Sequence, residues 1–398
     1  MSWKNDLMLN SDMDTYVLQG MKRKEMLDYL KRDFSDYAWS MSSLDRRLRY
    51  FDISYTDKEA TVDTVLQAVA EELDGPGSLL GYRAMHKQIR IQHNLKVPRD
   101  VIYAAMRKLD PEGLRGRSVI EKKKKKKGCF FSSGPNWVHA VDGHDKLMGY
   151  QNHTFPLAVY GCIDTCSRKL LWLKVWTSNS DPSLIGRWYM EYLVEHKMMP
   201  TYLRMDRGTE TGVMSTIHAY LHSHHVMDVC PEDTVLYGPS TSNQIERWWK
   251  ELHHRLELYF KEHLSYLKEQ GFYNPSDQMD RSILAFVMIP VLQKEMDNFL
   301  CMWNTHRIRQ QKNTVLPNGI PNHIYDFPAE YGLKDCGWAI TDDQLEETAY
   351  NSGVLDVCDD YLDQGFRQRC VELIPATENI KPSECSKAYE FLKKYLKE

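Results

Sequence analysis

At 398 residues the chain exceeds one ordinary domain core, and its 42% hydrophobic and 11% aromatic content, with 10 Trp and 23 Tyr, excludes a largely disordered protein. It lacks the apolar centre of a secretory signal near its start and any run of about eighteen apolar residues, and its nine Cys are scattered, so a soluble, unexported protein with reduced thiols is expected. The net charge of -4 hides a reversal: Tyr82 to Lys127 carries 15 Lys or Arg against 4 acids, and Gln310 to the end carries 9 against 16, so a polyanionic partner is expected for the first block and not for the second.

The first unit, residues 1–58, contains two helical patterns between Met21 and Phe51. Leu27, Leu30 and Phe34 share one helical face, and after a break Met41, Leu44, Leu48 and Phe51 resume the spacing. Ser42 and Asp45 read as a capping box, and Arg46, Arg47 and Arg49 supply the charge a groove-facing helix needs.

In the second unit, residues 59–118, Thr61 is the expected N-cap of a helix carrying Val62, Val65, Leu66, Val69 and Leu73 and ended by Asp74-Gly75-Pro76-Gly77. A helix from Tyr82 to Gln92 follows, then one opened by Pro98 with Val101, Ile102, Ala105 and Leu109 inward. Its basic residues, Arg99, Arg107 and Lys108, are further candidates for contacting DNA, and the two units suggest helix-turn-helix folds. The alternative is an ordinary solvated helix surface.

Residues 119–134 form a basic linker in which six consecutive lysines, Lys122 to Lys127, repel one another too strongly to pack. Lys122, Lys124 and Lys126 are candidates to lie along phosphates; a nuclear import signal and a merely solvated linker are equally compatible with the run.

From residue 135 to 260 the texture is that of a mixed α/β core. VHAVD, FPLAVYGCID and KLLWLKVWT read as three strands, SLIGRWYMEYLVEH as a helix, TYLRMD as a fourth strand and SNQIERWWKELHHRL as a helix. Residues 261–398 read as a helical extension with an acidic tail.

Asp142 and Asp206 are expected at the ends of the first and fourth strands, and Glu246 on the later helix. Three carboxylates brought together would repel severely without cations. Hard oxygen ligands favour Mg²⁺ or Mn²⁺, and two such ions about 3.5 to 4 Å apart promote in-line phosphodiester displacement. A lone Asp at a strand end is otherwise a turn former, and Asp145 and Asp164 compete with Asp142; Asp164, before Thr-Cys-Ser, reads as a turn residue. Lys250, His253 and His254 share the helical face of Glu246 and are candidates to touch DNA, and Asn243 to orient substrate or cap the helix. His218 and His222 have helical zinc spacing but no Cys or Glu partner, and Cys162 and Cys166 read as buried thiols.

The ordered runs GPNWVHAVDGHDKL, IDTCSRKLLWLKV, LRMDRGTE and NQIERWW, continued by MWNTHRIR and Pro317-Asn318-Gly319-Ile320-Pro321, resemble the integrase core of retroelement-related and transposon-derived proteins. The resemblance spans roughly Gly134 to Phe327, and the helical units ahead of it look like the same family. It implies an RNase H-like core flanked by N-terminal all-α helix-turn-helix units and a helical C-terminal region. It further implies that Asp142, Asp206 and Glu246 hold two Mg²⁺ or Mn²⁺ ions for cleavage and strand transfer on double-stranded DNA in the nucleus. A homo-oligomer is expected on DNA, because joining two ends needs two sites. A domesticated DNA-binding protein without catalysis is the alternative; a nuclease of the RNase H type is less favoured.

Overall fold

The computed structural model describes residues 3–117, 132–145, 147, 149, 154–225, 229–238, 245–310 and 315–396, with the backbone alone at positions 246 and 247. The chain forms two compact units, Met1–Lys126 and Lys127–Glu398.

The first unit is all helical: α1 Leu7–Leu18, α2 Arg23–Asp33, α3 Met41–Tyr50, α4 Val62–Leu73, α5 Tyr82–Gln92, α6 Arg99–Leu109 and α7 Pro111–Gly116. Thr61 caps α4 as expected, accepting from the Thr64 N–H. The capping box of α3 instead joins Ser40 and Ser43 reciprocally. Asp45 reaches Arg23 at 3.1 Å rather than capping from Ser42. On α6, Met106 is buried beside Ile102 and Ala105, whereas Leu109 is exposed.

The expected halves, 1–58 and 59–118, lie within the same unit. Basic side chains of α5 reach the carbonyl end of α1: Arg90 donates to Val17 O at 2.6 Å and Leu18 O at 3.1 Å, and Lys87 to Gln19 O at 3.0 Å. They satisfy acceptors that a helix terminus leaves open and oppose its negative end.

The second unit contains, in order, β1 Val138–His144, β2 Ala158–Asp164, β3 Leu170–Trp176, α8 Pro182–His196, β4 Met198–Met199, β5 Tyr202–Met205, α9 Gly212–Ser223, β6 Val235–Tyr237 and α10 Ile245–Leu252. A π-turn, His253–Glu257, carries α10 into α11 Leu258–Glu269. Then come α12 Gln278–Thr305, α13 Pro321–Asp326, β7 Trp338–Ala339, α14 Asp342–Ser352, α15 Gln364–Leu373 and α16 Cys385–Leu396.

Five strands form a mixed sheet in the order β3-β2-β1-β5-β6. The first three are antiparallel neighbours, and β5 and β6 run parallel to β1. Alternation divides the core between the two faces. Ala140, Val159, Ile163 and Leu173 join Trp248, Trp249 and the apolar side of α12 on one face. Val141, Tyr160, Cys162 and Trp172 join α8 and α9 on the other. Every residue of β2 is buried, as befits a strand covered on both faces.

Helix α12 is integral to this layer rather than an appendage beyond residue 260. Its Asn304 accepts from Leu170 N at 2.8 Å and donates to Leu170 O at 2.7 Å. Gln293 likewise accepts from Val175 N at 2.9 Å and donates to Leu173 O at 3.0 Å. Two amides thus occupy the free edge of β3, where another strand would otherwise pair. Trp303 also ties the helix down, donating to Arg168 O at 2.8 Å.

Candidate active site

Parallel pairing of β1 with β5 matches Val138 to Tyr202, His139 to Leu203 and Ala140 to Arg204, an offset of 202 - 138 = 64 positions. Asp142 and Asp206 have the same offset, 206 - 142 = 64. The last pair of this ladder is Ala140–Arg204, so Asp142 and Asp206 each lie two residues past it on neighbouring segments. Asp206 directly follows β5, but Asp142 does not end its strand: β1 continues to His144 because pairing with β2 continues through Gly143–Tyr160 and His144–Val159.

Asp142 is 6% exposed and its Oδ2 accepts from the indole Nε1 of Trp249 at 2.9 Å. Trp249 also stacks on His144, with ring centroids 4.6 Å apart and planes 13° apart. The imidazole meets fully buried Glu257 at 2.9 Å, and His253 approaches the same carboxylate at 3.1 Å. Burial works to raise Glu257, yet its bonds to His144 and His253 hold it below the usual glutamate value.

Further acidity gathers beside these strands. Burial raises Glu210 above the usual carboxylate range, and the charges of Asp206 and Asp145 raise it further. Buried Tyr160 is pushed well above an ordinary phenol, first by burial and then by Glu210, Asp142 and Asp206. Asp145 accepts from the Asn179 amide at 2.7 Å. Sequence reasoning overlooked Glu210, though it stands four residues beyond Asp206 in DRGTE.

The donor set suits a hard divalent cation, because the acids offer oxygen and the carboxylate charges that add to the effect of burial on Glu210 and Tyr160 are ones a cation would offset. Among the described residues no group of three His, Cys, Asp or Glu forms a metal cluster. Glu246 lies in the first turn of α10, three residues before Trp249, and its side chain is outside the described set.

Asp164 is fully buried and accepts from the Asn136 N–H at 2.9 Å and from Ser167 N and Oγ, which makes it the organiser of the β2–β3 turn. Cys162 and Cys166 are buried and free. His218 bonds the Tyr189 hydroxyl at 2.8 Å and His222 the Pro200 carbonyl at 2.9 Å, an arrangement of core histidines.

Of the candidates for DNA contact, Arg46, Arg49, Arg99, Arg107, Lys108 and Lys250 are exposed. Arg47 requires correction: it is 3% exposed, with its guanidinium 3.9 Å from the Trp39 ring centroid and also near Trp3 and Tyr37. Its cation is enclosed by aromatic faces and cannot enter a groove. The Nδ1 of His253 is likewise engaged by Glu257. Asn243, Lys122, Lys124 and Lys126 lie outside the described residues.

The site thus combines a mixed sheet in the order β3-β2-β1-β5-β6, Asp142 on β1, Asp206 directly after the parallel β5, and α10 bonded to Asp142 through Trp249. Residues 129–325 match the integrase core domain, and through that segment the chain belongs to the integrase core family. Its fold is accordingly RNase H-like. No curated protein matches the chain.

Proposed function

We propose that this protein is a DNA integrase or transposase that cleaves and joins phosphodiester bonds through Asp142, Asp206 and Glu246. The observation that carries this reading is that Asp142 lies on β1 and Asp206 directly follows β5, the parallel neighbour of β1. Trp249 fastens α10 to Asp142 and thereby brings the helix bearing Glu246 beside the same strand. Membership of the integrase core family supplies the reaction class.

The three acids would hold two Mg²⁺ or Mn²⁺ ions, which when bound supply an activated hydroxyl and stabilise the leaving oxygen. Asp142 is held as a ligand by its burial and by the bond from Trp249, and that burial limits competition from water. Duplex DNA is the proposed substrate, with Arg46, Arg49, Arg99, Arg107, Lys108 and Lys250 as exposed cationic candidates for its phosphates. The protein would act in the nucleus and as a homo-oligomer, since joining two ends requires two sites.

Divalent-cation-dependent cleavage and strand transfer on labelled duplex DNA tests the reading. Asp206→Asn and Glu246→Gln are expected to abolish both reactions while DNA affinity survives. Tight DNA binding by the wild type with no reaction in either Mg²⁺ or Mn²⁺ would replace this function with that of a non-catalytic DNA-binding protein.

A further inference from the structure

We propose that Trp249 is a positioning residue for the carboxylate site, orienting Asp142 through its indole N–H and, together with Glu257, clamping α10 to β1. This inference rests on the assignment of Asp142 as a metal ligand. The adjacent tryptophans provide an internal contrast. Trp248 is 3% exposed, packs on Phe299 and Trp303, and leaves its Nε1 without a hydrogen-bond partner among the described residues. Trp249 is equally buried, but its Nε1 donates to Asp142. Apolar packing accounts for the first ring and is insufficient for the second.

A hydrogen bond to one oxygen restricts rotation of the carboxylate, and donation to an anion is stronger than donation to a neutral acceptor. Such outer partners orient metal ligands and typically alter metal affinity or activity by about 10- to 100-fold. The indole is held between His144, stacked on it at 4.6 Å, and Gly161, where a Cβ would come within 3.0 Å of the ring. Gly161 pairs with Asp142 across β1 and β2, so the absent side chain lies at the strand position where the indole must enter.

The second point of the clamp depends on the π-turn. Eight residues of regular α-helix would rotate Glu257 about 80° away from Trp249. The wider π-turn at His253–Glu257 offsets much of that rotation, and His144 contacts both residues. One histidine on β1 therefore contacts both Trp249 on α10 and Glu257 at the end of the π-turn that follows it.

The test uses the full chain and compares wild type, Trp249→Phe, benzothienylalanine incorporated at position 249, Glu257→Gln and Asp142→Asn. Benzothienylalanine retains the ring shape and removes the donor. Mn²⁺ binding is read from the free-ion electron paramagnetic resonance signal, with thermal melting as the measure of folding. Both replacements of Trp249 are expected to weaken Mn²⁺ binding about 10-fold or more and to raise the half-saturating Mn²⁺ for strand transfer in parallel, without changing DNA affinity. Glu257→Gln is expected to shift the same quantities in the same direction. Mn²⁺ affinity within twofold of wild type for the folded benzothienylalanine protein would overturn the positioning role, provided Asp142→Asn weakens binding. Unchanged Mn²⁺ binding in folded Asp142→Asn would overturn the ligand assignment and this inference together.

Discussion

A Cβ built on Gly161 would stand 3.0 Å from the Cη2 of Trp249 and 2.7 Å from the Cδ2 of Leu173. The strand thus leaves space for the indole that reaches Asp142. Gly161→Ala forces these side chains apart, with an expected stability loss of about 1–3 kcal/mol. Strand-transfer activity should fall by more than thermal stability alone accounts for, as measured at a temperature where the variant remains folded. Retention of full activity and melting temperature would contradict the close fit.

The edge of β3 offers a test independent of catalysis. Asn304 is 3% exposed and satisfies both backbone groups of Leu170. Asn304→Leu preserves approximate volume while leaving a donor and an acceptor unpaired, at about 1–3 kcal/mol each. Urea denaturation should show a lower midpoint. Gln293→Ala should cost less because its site is more open to water, but should increase concentration-dependent association by uncovering the strand edge.

Arg47 and its neighbours should separate stability from DNA binding. Arg47→Ala removes a cation packed on Trp39 and is expected to lower the melting temperature of the helical unit. Arg46→Ala and Arg49→Ala should leave melting nearly unchanged and reduce the salt dependence of DNA binding, each by about one phosphate contact. A reduced salt slope for Arg47→Ala without loss of stability would contradict the buried assignment.

Acid should destabilise the second unit before its ordinary carboxylates titrate. Burial lowers His139 to about 3, with the positive charge of Lys169 and the nearby His196 adding to the effect, and burial holds His218 well below the usual histidine value. The unfolded chain binds protons at these sites near pH 6.5 and the folded chain does not, so stability falls as pH drops below that point. Each can cost up to about 2 kcal/mol by pH 5. Asp164 acts oppositely: burial pushes it up to about 6, so it takes up its proton in the native state and recovers roughly 1 kcal/mol over the same interval. The histidines outweigh it, and melting curves between pH 7 and 5 should show a falling midpoint. His139→Gln, if folded, should flatten that dependence.

Local periodicity was enough to locate much of the secondary structure. Tyr82–Gln92 is a helix as expected, and β2 and β3 fall within the apolar runs assigned to them, whereas β1 runs two residues past VHAVD to His144. The three-residue β6 was missed because so short a segment carries no resolvable alternation, and its place is decided by pairing with β5. Arg47 was misplaced because helical spacing states which residues share a face, not which aromatic side chains close over that face. The Ser40–Ser43 cap was missed for a related reason: Ser42 and Ser43 are neighbours, and backbone conformation at Ser40 selects the box.

The sequence by itself determined the kinds of element, the acids Asp142, Asp206 and Glu246 on them, and the resemblance to integrase cores, because these reside in short windows and ordered motifs. Only the tertiary structure decided that the strand leading to Asp206 pairs in parallel with the strand of Asp142, that an indole 107 residues away bonds Asp142, and that His144 joins Trp249 to Glu257. Such contacts depend on strand order, side-chain direction and the turn of a distant helix together. No local window contains all three.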